Sequence, residues 1–435
     1  FLLVGTGIFF TIKLHFVQLS SFADGVRHLF KGFSLHGKAA DKDGMSSFQA
    51  LATAIAAQVG TGNITGCATA LVSGGPGALF WTWVSAFFGM ATIYAEAVLA
   101  QTYRTTVDGQ VTGGPAYYIR AAFKGKFGKF LAIFFSVALI LALGFMGNMV
   151  QSNSIGDAFH NAFGVNRVVV GVVIAVLAAF IFLGGVKRIA AVTEKLVPLM
   201  ALFYLFGALT VVCVHWAAVP AAFAAVFRGA FGLQAAGGGV LGYGMARAIS
   251  WGFKRGAFSN EAGLGASVLV HCAANVEEPV QQGMWGIFEV FADTMVVCTL
   301  TALVVLTSGL VDLDTGAALT GVEGSALVGQ AFSTVFGAFG PQFIAVSVLL
   351  FAYSTTLGWS HYGTRAVVYL LGERAAAGYK LVFAAMVLVG AVMKLDLAWA
   401  LSDTFNGLMM LPNLVGVVGL SGVVVRETQA YLKRK

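Results

Sequence analysis

Long apolar runs separated by short polar segments make up most of the chain. The longest run lies between Asp43 and Glu96 and contains 52 residues without a charged side chain. Because a transmembrane helix needs about 20 apolar residues, this run is long enough for two crossings. The sequence Gly-Gly-Pro-Gly at 74–77 divides it, since proline cannot continue a helix and glycine loosens one. The pattern therefore predicts helices near 47–72 and 77–103.

The same pattern predicts nine further membrane-spanning helices, which gives about eleven in all. They are expected near 1–14, 128–155, 167–186, 190–216, 240–274, 282–309, 342–366, 377–394 and 397–425. Only twelve residues precede Lys13, so we expect the first helix to be truncated. The strand alternation of a β-barrel, with a period of two, is missing. We therefore predict an all-α polytopic membrane protein.

Composition agrees with this class of protein. Hydrophobic residues make up 58% and charged residues 10% of the chain, and the mean hydropathy is +0.85. A typical soluble domain has about 25% charged residues. These values exclude an intrinsically disordered chain, a collagen and a nucleic-acid-binding domain.

The basic residues are distributed unevenly between the two predicted sides of the membrane. Of the 26 Lys and Arg residues, 20 lie in the loops of one side and 3 in the loops of the other. By the positive-inside rule the first side is cytoplasmic, and it includes the 13–46 loop and the C-terminus. This distribution explains the net charge of +7 without a nucleic-acid partner. We expect a multi-pass protein of the cytoplasmic (inner) membrane, surrounded by the lipid bilayer.

Two of the predicted helices carry glycines and small polar residues at their centres. The helix 47–72 contains Gln-Val-Gly-Thr-Gly-Asn-Ile-Thr-Gly at 58–66, and the helix 240–274 contains Gly-Ala-Phe-Ser-Asn-Glu-Ala-Gly-Leu-Gly at 256–265. Irregular backbone survives at membrane depth only where it lines a cavity or is buried in protein. We therefore predict that both helices are broken.

The two broken helices occupy matching positions in the chain. Each is the first helix of a set of five, and because five is an odd number the second set enters the membrane from the opposite face. We predict a first helix and cytoplasmic loop at 1–46, a first five-helix repeat at 47–216, a connecting loop at 217–239, a second, inverted repeat at 240–425 and a cytoplasmic tail at 426–435. Paired interruptions in inverted repeats indicate the binding site of a secondary transporter.

A break in a helix exposes backbone groups with a defined chemistry. Free N–H groups at a half-helix N-terminus attract a carboxylate, and free carbonyl groups at a half-helix C-terminus suit an alkali cation. The candidates are Thr61, Gly62 and Asn63 for the carboxylate, and Ala56, Gln58 and Val59 for the cation. The alternative is a packing face, since Gly62 and Gly66 form Gly-x-x-x-Gly. Binding is favoured because the polar side chains of Gln58, Asn63 and Thr65 need partners in lipid.

The second break contains three consecutive polar residues, Ser259, Asn260 and Glu261. A carboxylate here is costly unless it is paired, hydrated or protonated, so Glu261 either orients the break or meets a substrate ammonium or a cation. We treat Glu261 as a residue that assists the site and not as one of its primary ligands. The nearby Arg247, Lys254 and Arg255 are expected to face the outer vestibule, with a substrate clamp as the alternative.

Three other polar groups lie within predicted helices. Thr355 and Thr356 can bond to their own helix or ligate a cation. Gln151 can reach a central cavity or join two helices. Glu289 and Asp293 share one helix face, where they form a proton relay or line a wet inner surface, and we favour the second.

Several blocks of the sequence match a known family. The run Gly-Gly-Pro-Gly-Ala-Leu-Phe-Trp-Thr-Trp-Val-Ser-Ala-Phe-Phe-Gly at 74–89 resembles the signature of the alanine/glycine:cation symporters, within the amino acid-polyamine-organocation superfamily. It departs from that signature at Thr82, where the family usually has Met. Further matching blocks lie at 60–64, 113–119, 147–153, 258–263, 356–359 and 412–414. They occur in order over nearly the whole chain.

The resemblance implies a five-plus-five inverted repeat with one extra N-terminal helix. It also implies sodium-coupled import of alanine or glycine by alternating access, in a bacterium or archaeon, with Na⁺ as the coupling ion and no organic cofactor. An enzyme is not expected, because no Ser, His and Asp or paired acids form a catalytic pattern. A channel is a second alternative, and it would need a continuous polar pore through the membrane. A proton-coupled carrier of small neutral amino acids, using Glu261 or the pair Glu289 and Asp293, is the nearest alternative.

The first broken helix is also similar to that of the neurotransmitter:sodium symporters. This similarity implies that one sodium ion is held by Ala56, Val59, Ala352, Thr355 and Thr356. It implies a substrate site that comprises Thr61, Gly62, Asn63, Gln151, Phe258, Ser259, Asn260, Gly263 and Trp359. A second sodium site at Gln58 and Asn63 is left open.

Overall fold

The structure is a computed structural model that describes residues 2–31, 45–107, 109–232 and 238–434. Almost all regular elements are helices. The α-helices are Leu2–Lys13, Val17–Ser20, Phe22–Lys31, Ser47–Gln58, Cys67–Gly74, Gly77–Thr102, Pro115–Ala122, Gly125–Leu139, Asn148–Phe163, Arg167–Phe182, Gly185–Val214, Val219–Ala230, Gly238–Asn260, Val268–His271, Pro279–Val290, Thr299–Thr307, Gly324–Phe336, Gly340–Leu371, Glu373–Val392, Leu395–Gly419 and Ser421–Arg434. The strands Thr105–Val107 and Gln110–Thr112 form an antiparallel hairpin.

Each of the eleven predicted spans contains a helix or a pair of helices. Among the described residues, six helices are long and apolar enough to cross a membrane, or eight if each of two bent pairs is one span. The count is lower than eleven because it omits both broken helices and the helix Arg167–Phe182, which has only 16 residues. Five short helices were not predicted, since only long apolar runs indicate spans. They are Val17–Ser20, Phe22–Lys31, Pro115–Ala122, Val219–Ala230 and Gly324–Phe336.

The order of elements repeats between the two halves of the chain. Each half begins with a broken helix and a long helix. A short helix then precedes the third long helix in both halves: Pro115–Ala122 in the first and Gly324–Phe336 in the second. This order fits the predicted inverted repeat, while the residue bounds of the two repeats remain a prediction.

Three π-helical turns interrupt helices in their central parts. They are Gly62–Gly66, Ile140–Gly147 and Phe291–Cys298. A π-helical turn is rare and is frequently found at a functional site, because it turns side chains away from the regular helical positions. Gly62–Gly66 belongs to the first predicted break, and Phe291–Cys298 contains the buried Asp293.

Contacts join most of the basic segments at one end of the helix bundle, which we name the basic end. The contacts are those of Lys13 with Ser421, Arg104 with Ala274, Arg365 with Gln110, and Arg434 with Glu278. These segments belong to the side that the charge distribution predicts to be cytoplasmic. The structure therefore places them together, as the predicted topology requires.

Candidate functional site

The first broken helix is interrupted at Val59, Gly60 and Thr61. Helix Ser47–Gln58 ends where Val59 adopts an extended conformation, with φ −73° and ψ 90°. The N–H of Gly60 donates to Asn63 Oδ1 at 2.9 Å, and the N–H of Thr61 donates to Gln151 Oε1 at 3.0 Å. Side chains therefore satisfy two of the backbone donors that the break releases. Gln151 lies directly at the break.

Two backbone carbonyls of this break face hydroxyl groups of the helix Gly340–Leu371. Thr355 Oγ1 lies 3.1 Å from the carbonyl oxygen of Ala56 and 3.3 Å from that of Val59. Ser354 Oγ lies 3.0 Å from the same Ala56 oxygen. Four oxygen atoms from two helices thus converge within the protein interior, where all four residues are buried.

The remaining two residues of the predicted cation set bond to each other. Thr356 Oγ1 donates to the carbonyl oxygen of Ala352 at 2.9 Å, one turn earlier in the same helix. Ser354, which was not among the predicted ligands, reaches the break instead. Its position in the run Ser-Thr-Thr at 354–356 was the only sequence signal for it.

Glycines allow the helix Gly340–Leu371 to approach the break closely. A Cβ atom at Gly60 would lie 2.5 Å from Thr355 Oγ1, and one at Gly358 would lie 2.6 Å from Ala57 Cβ. Both distances are shorter than van der Waals contact. Side chains at these two positions would therefore separate the hydroxyl groups from the carbonyl groups.

The second break lies at 261–267, between the helices Gly238–Asn260 and Val268–His271. Its backbone is left-handed at Glu261, Gly263 and Gly265, with φ of 54°, 86° and 74°. The predicted run 256–265 began too early, because Phe258 to Asn260 still belong to the helix. The backbone leaves the helix at the residues with positive φ, a conformation that glycine adopts without strain.

Gly263 is fixed by two buried side chains that the sequence analysis did not select. Its N–H donates to Glu96 Oε2 at 3.2 Å, and its carbonyl oxygen accepts from Asn413 Nδ2 at 2.8 Å. Asn413 also bonds to Glu96 Oε1 and accepts from the Tyr118 hydroxyl. The only available signals were the position of Glu96 at the end of the long apolar run and the block around Asn413.

Asp293 connects the two breaks. Its Oδ1 accepts from Asn63 Nδ2 at 2.7 Å, and its Oδ2 accepts from Ser259 Oγ at 2.7 Å and from Thr294 Oγ1 at 2.8 Å. The Asp293 side chain is fully buried. One carboxylate therefore holds a residue of the first broken helix and a residue of the second.

Glu289 is also fully buried, and its partners come from the same two broken helices. It accepts from Gln58 Nε2 at 2.9 Å and lies 2.9 Å from His271 Nε2. The favoured interpretation, in which Glu289 and Asp293 line a wet inner surface, is therefore wrong. Both side chains are in the interior because the π-helical turn and its flanking helix face the breaks.

Aromatic rings bound the space between the breaks. The Phe258 ring lies edge-on to Trp359, with centroids 6.0 Å apart, and contacts Trp399 with centroids 4.6 Å apart. A Cβ at Gly62 would lie 3.1 Å from the Phe258 ring. The indole N–H of Trp359 donates to Glu261 Oε1 at 2.5 Å. Phe258 and Trp359 therefore lie close to both breaks, and their contact with a substrate stays a prediction.

The described bonds of Asn260 lead away from the first break. Its Nδ2 donates to Thr294 Oγ1 at 3.2 Å, and its Oδ1 accepts from the N–H of Ala262 at 3.1 Å. Gly263 likewise bonds to Glu96 and Asn413. The structure thus brings together Thr61, Gly62, Asn63, Gln151, Phe258, Ser259 and Trp359, while a substrate contact at Asn260 or Gly263 remains a prediction.

The expectation that Arg255 faces an aqueous vestibule is wrong. Its side chain is only 4% exposed, and both terminal nitrogens lie 3.3 Å from the Asp403 carboxylate. The guanidinium group also stacks 3.9 Å from the Trp399 ring centroid. Burial is possible because the charge is paired and stacked. Lys254 pairs with the same carboxylate at 2.8 Å and is partly exposed, and Arg247 is exposed.

The breaks, the inverted order of elements and the oxygen cluster together define the class of the protein: an α-helical secondary transporter of the membrane. In the part of the chain that the structure describes, no three His, Cys, Asp or Glu side chains form a metal centre. The family model described as the sodium:alanine symporter family matches residues 1–435. The chain therefore belongs to the sodium:alanine symporter family.

Individual proteins agree with this assignment. The chain is similar to the sodium/alanine symporter AgcS of Methanococcus maripaludis, with 42% identity over 99% of this chain and 93% of that protein. It is 38% identical to the putative sodium/proton-dependent alanine carrier protein YrbD of Bacillus subtilis, over 100% of this chain and 90% of that protein. The structure of MhsT in complex with L-phenylalanine has a TM-score of 0.61 at 12% identity, covering 86% of this chain and 89% of that one, which shows the fold alone.

The family assignment confirms the resemblance found in the sequence. The protein is a multi-pass, sodium-coupled amino-acid symporter and a transporter rather than an enzyme. The all-α inverted-repeat fold that the sequence predicted is confirmed as well.

Proposed function

We propose that the protein imports alanine or glycine with Na⁺ by alternating access across the cytoplasmic membrane, with its C-terminus in the cytoplasm. One observation carries this proposal: buried polar atoms at both breaks have no hydrogen-bond partner among the described residues. They are Gln58 Oε1, Thr61 Oγ1, Thr65 Oγ1 and Glu261 Oε2. Buried polar atoms are normally hydrogen-bonded, so these four atoms without partners support the binding of a polar ligand between the breaks.

Sodium is proposed to bind where the first break faces the helix Gly340–Leu371. The carbonyl oxygens of Ala56 and Val59 and the hydroxyl group of Thr355 supply uncharged oxygen ligands, which suit an alkali cation. The Ala352 carbonyl and the Thr356 hydroxyl complete the proposed set. Ser354 is an additional candidate because its hydroxyl shares the Ala56 oxygen with Thr355.

The substrate carboxylate is proposed to bind at Thr61 and Gly62. The Thr61 N–H donates to the oxygen atom of the Gln151 amide, which supports a binding position for another acceptor there. When a carboxylate takes this place, rotation of the Gln151 amide would present its Nε2 as a second donor. Asn63 and Ser259 position the two breaks through their shared partner Asp293.

The side-chain end of the substrate is proposed to face Phe258 and Trp359. These rings are nearly perpendicular, at 85°, and both are buried. Two rigid aromatic walls would accept a small aliphatic group and would exclude a larger one by volume. This arrangement supports alanine or glycine as the substrate.

The membrane potential would drive this import. A zwitterionic amino acid moving with one Na⁺ carries a net charge of +1. Each positive charge that moves inward gains about 2.3 kcal/mol per 100 mV of inside-negative potential. Uptake should therefore increase when a potassium diffusion potential makes the vesicle interior negative.

Reconstituted proteoliposomes test the proposal. Labelled alanine should accumulate when an inward Na⁺ gradient is imposed and should equilibrate without accumulation when K⁺ replaces Na⁺. Unlabelled glycine should compete for this uptake, whereas unlabelled phenylalanine should not. Accumulation in the absence of the gradient, or competition by phenylalanine as strong as that by unlabelled alanine, would contradict the proposal.

A second candidate function is proton transport together with sodium. The buried contact of His271 Nε2 with Glu289 Oε2 at 2.9 Å favours it, because this pair can hold or release a proton inside the protein. The relative YrbD is described as sodium/proton-dependent. Alkalinisation outside the vesicles during alanine uptake, at fixed Na⁺, would support it; an unchanged external pH would exclude it.

A further inference from the structure

A polar pocket lies at the basic end, beside the contact of Arg365 with Gln110. It has a volume of about 90 Å³ and opens to the surface. Its walls come from the hairpin and from the helices Gly185–Val214, Gly340–Leu371 and Glu373–Val392. The polar lining residues are Gln110, Ser360, His361, Thr364, Arg365, Glu373 and Lys380.

The charges in this pocket are mainly positive. Arg365 and Lys380 face it together, and of the described residues that line it only Glu373 is acidic. Among the described residues, neither cation makes an ion pair, and Arg365 donates to the neutral Gln110 Oε1 at 2.8 Å. Two cations that share a pocket repel each other unless an anion lies between them. The pocket therefore suits an anionic group.

His361 provides an independent indication of a ligand. Its side chain is 5% exposed, it lines the pocket, and its Nε2 has no hydrogen-bond partner among the described residues. A buried ring nitrogen without a partner is unfavourable, and a phosphate oxygen would satisfy it when that nitrogen carries the proton. The imidazole, the guanidinium and the ammonium group together offer donors from two helices.

Exposed apolar side chains close in sequence to the lining residues indicate the kind of anion. Leu183 lies two residues before Gly185, Leu371 two residues before Glu373, and Leu381 directly after Lys380. They are 53%, 71% and 65% exposed. A free anion would gain nothing from these apolar side chains. Acyl chains would cover them, and basic pockets between helices near the cytoplasmic surface are suited to anionic lipid head groups.

We propose that this pocket binds the phosphate group of an anionic phospholipid, with His361, Arg365 and Lys380 as its donors. The acyl chains would then lie along the exposed side chains of Leu183, Leu371 and Leu381. The bound lipid would join the helices Gly340–Leu371 and Glu373–Val392 at the basic end. This proposal does not depend on the identity of the transported amino acid.

Purified full-length protein in detergent tests the proposal by native mass spectrometry and by thermal unfolding. The probes are phosphatidylglycerol, the zwitterionic phosphatidylcholine and inorganic phosphate. Phosphatidylglycerol should remain bound and raise the unfolding temperature more than phosphatidylcholine does. In the Arg365→Gln/Lys380→Gln variant its affinity should fall about tenfold or more, since each basic residue contributes appreciably to binding of an anionic surface.

Arg374→Gln is the matched control, because Arg374 is an exposed residue of the same helix and does not line the pocket. This variant should bind phosphatidylglycerol as the wild type does. Equal binding of the two lipids by the wild type would overturn the proposal without any variant. Unchanged binding in the double variant, or equal stabilisation by inorganic phosphate alone, would also overturn it.

Discussion

The indole N–H of Trp359 donates to Glu261 Oε1 at 2.5 Å and joins the helix Gly340–Leu371 to the second break. Glu261 is one of three described residues other than glycine with positive φ, a conformation that costs about 1–3 kcal/mol in a bulky residue. The bond aims the carboxylate at Trp359 and holds the ring against Phe258. The strained backbone of Glu261 is therefore coupled to a wall of the proposed substrate site.

Glu261→Ala should destabilise the protein, whereas Glu261→Gln should not. Alanine removes the acceptor and leaves the buried indole N–H unpaired, which costs about 1–3 kcal/mol. The glutamine carbonyl oxygen accepts the same bond. Thermal unfolding in detergent should show a lower midpoint for Glu261→Ala alone. If the glutamine variant unfolds at the lower temperature as well, the charge of Glu261 and not its bond would hold the break.

Gly60→Ala should reduce sodium-dependent alanine uptake severely. The added methyl group would lie 2.5 Å from Thr355 Oγ1 and 3.0 Å from Gln151 Oε1, so the helices would have to separate. Overpacking of a tight interior contact costs about 1–3 kcal/mol, and here it would also displace proposed ligands. Initial uptake rates at equal protein content provide the measurement.

Gly378→Ala is the matched control for this substitution, because a Cβ there has no atom within 4 Å. It should transport alanine at the wild-type rate. Wild-type uptake by Gly60→Ala would show that the close contact of the break with Thr355 has no role in transport.

Thr355→Val should weaken sodium binding more than alanine binding. Valine keeps the shape of the side chain but removes the oxygen that lies near the carbonyls of Ala56 and Val59. We expect the sodium concentration for half-maximal uptake to rise about tenfold, which corresponds to about 1.4 kcal/mol. The alanine KM at saturating sodium should change little.

Thr210→Val provides the comparison for Thr355→Val. The Thr210 hydroxyl also bonds to a carbonyl one turn earlier in its helix, but Thr210 is only half-buried and lies away from both breaks. Its sodium dependence should remain that of the wild type. An equal shift in both variants would show that loss of a threonine hydroxyl, and not of a sodium ligand, changes the sodium dependence.

The sequence was sufficient to place the first break and the hydroxyl groups opposite it. Local signals carried that information, since the glycines at 60 and 62 and the run at 354–356 are visible along the chain. It was not sufficient to show that Ser354 reaches the break while Thr356 bonds to its own helix, because this depends on which way each side chain turns. The second break was placed too early for a related reason: the backbone leaves the helix only where Glu261 adopts positive φ.

The burial of Asp293 and Glu289 could not be predicted from the sequence. Their partners Asn63 and Gln58 lie 230 and 231 residues away along the chain, so only the packing of the helices brings them together. Two carboxylates spaced four residues apart indicate a common helix face but not whether that face meets water or protein. The short helix Gly324–Phe336 was missed because it is shorter than a membrane span.

Exchanging Asn63 and Asp293 tests how the two breaks are joined. Asp293→Asn replaces an acceptor by an amide that must turn to bond Asn63 Nδ2 and Ser259 Oγ, and Asn63→Asp places two carboxylates 2.7 Å apart. Each single variant should lose most of its alanine uptake. The double variant Asn63→Asp/Asp293→Asn restores one carboxylate and one amide, and an aspartate at 63 still accepts the Gly60 N–H. It should therefore recover a substantial part of the uptake, measured as initial rates in proteoliposomes. The double variant could instead be as inactive as the single variants while its unfolding temperature is normal. The carboxylate would then be required at position 293 itself, and the bond between the breaks would not explain the role of Asp293.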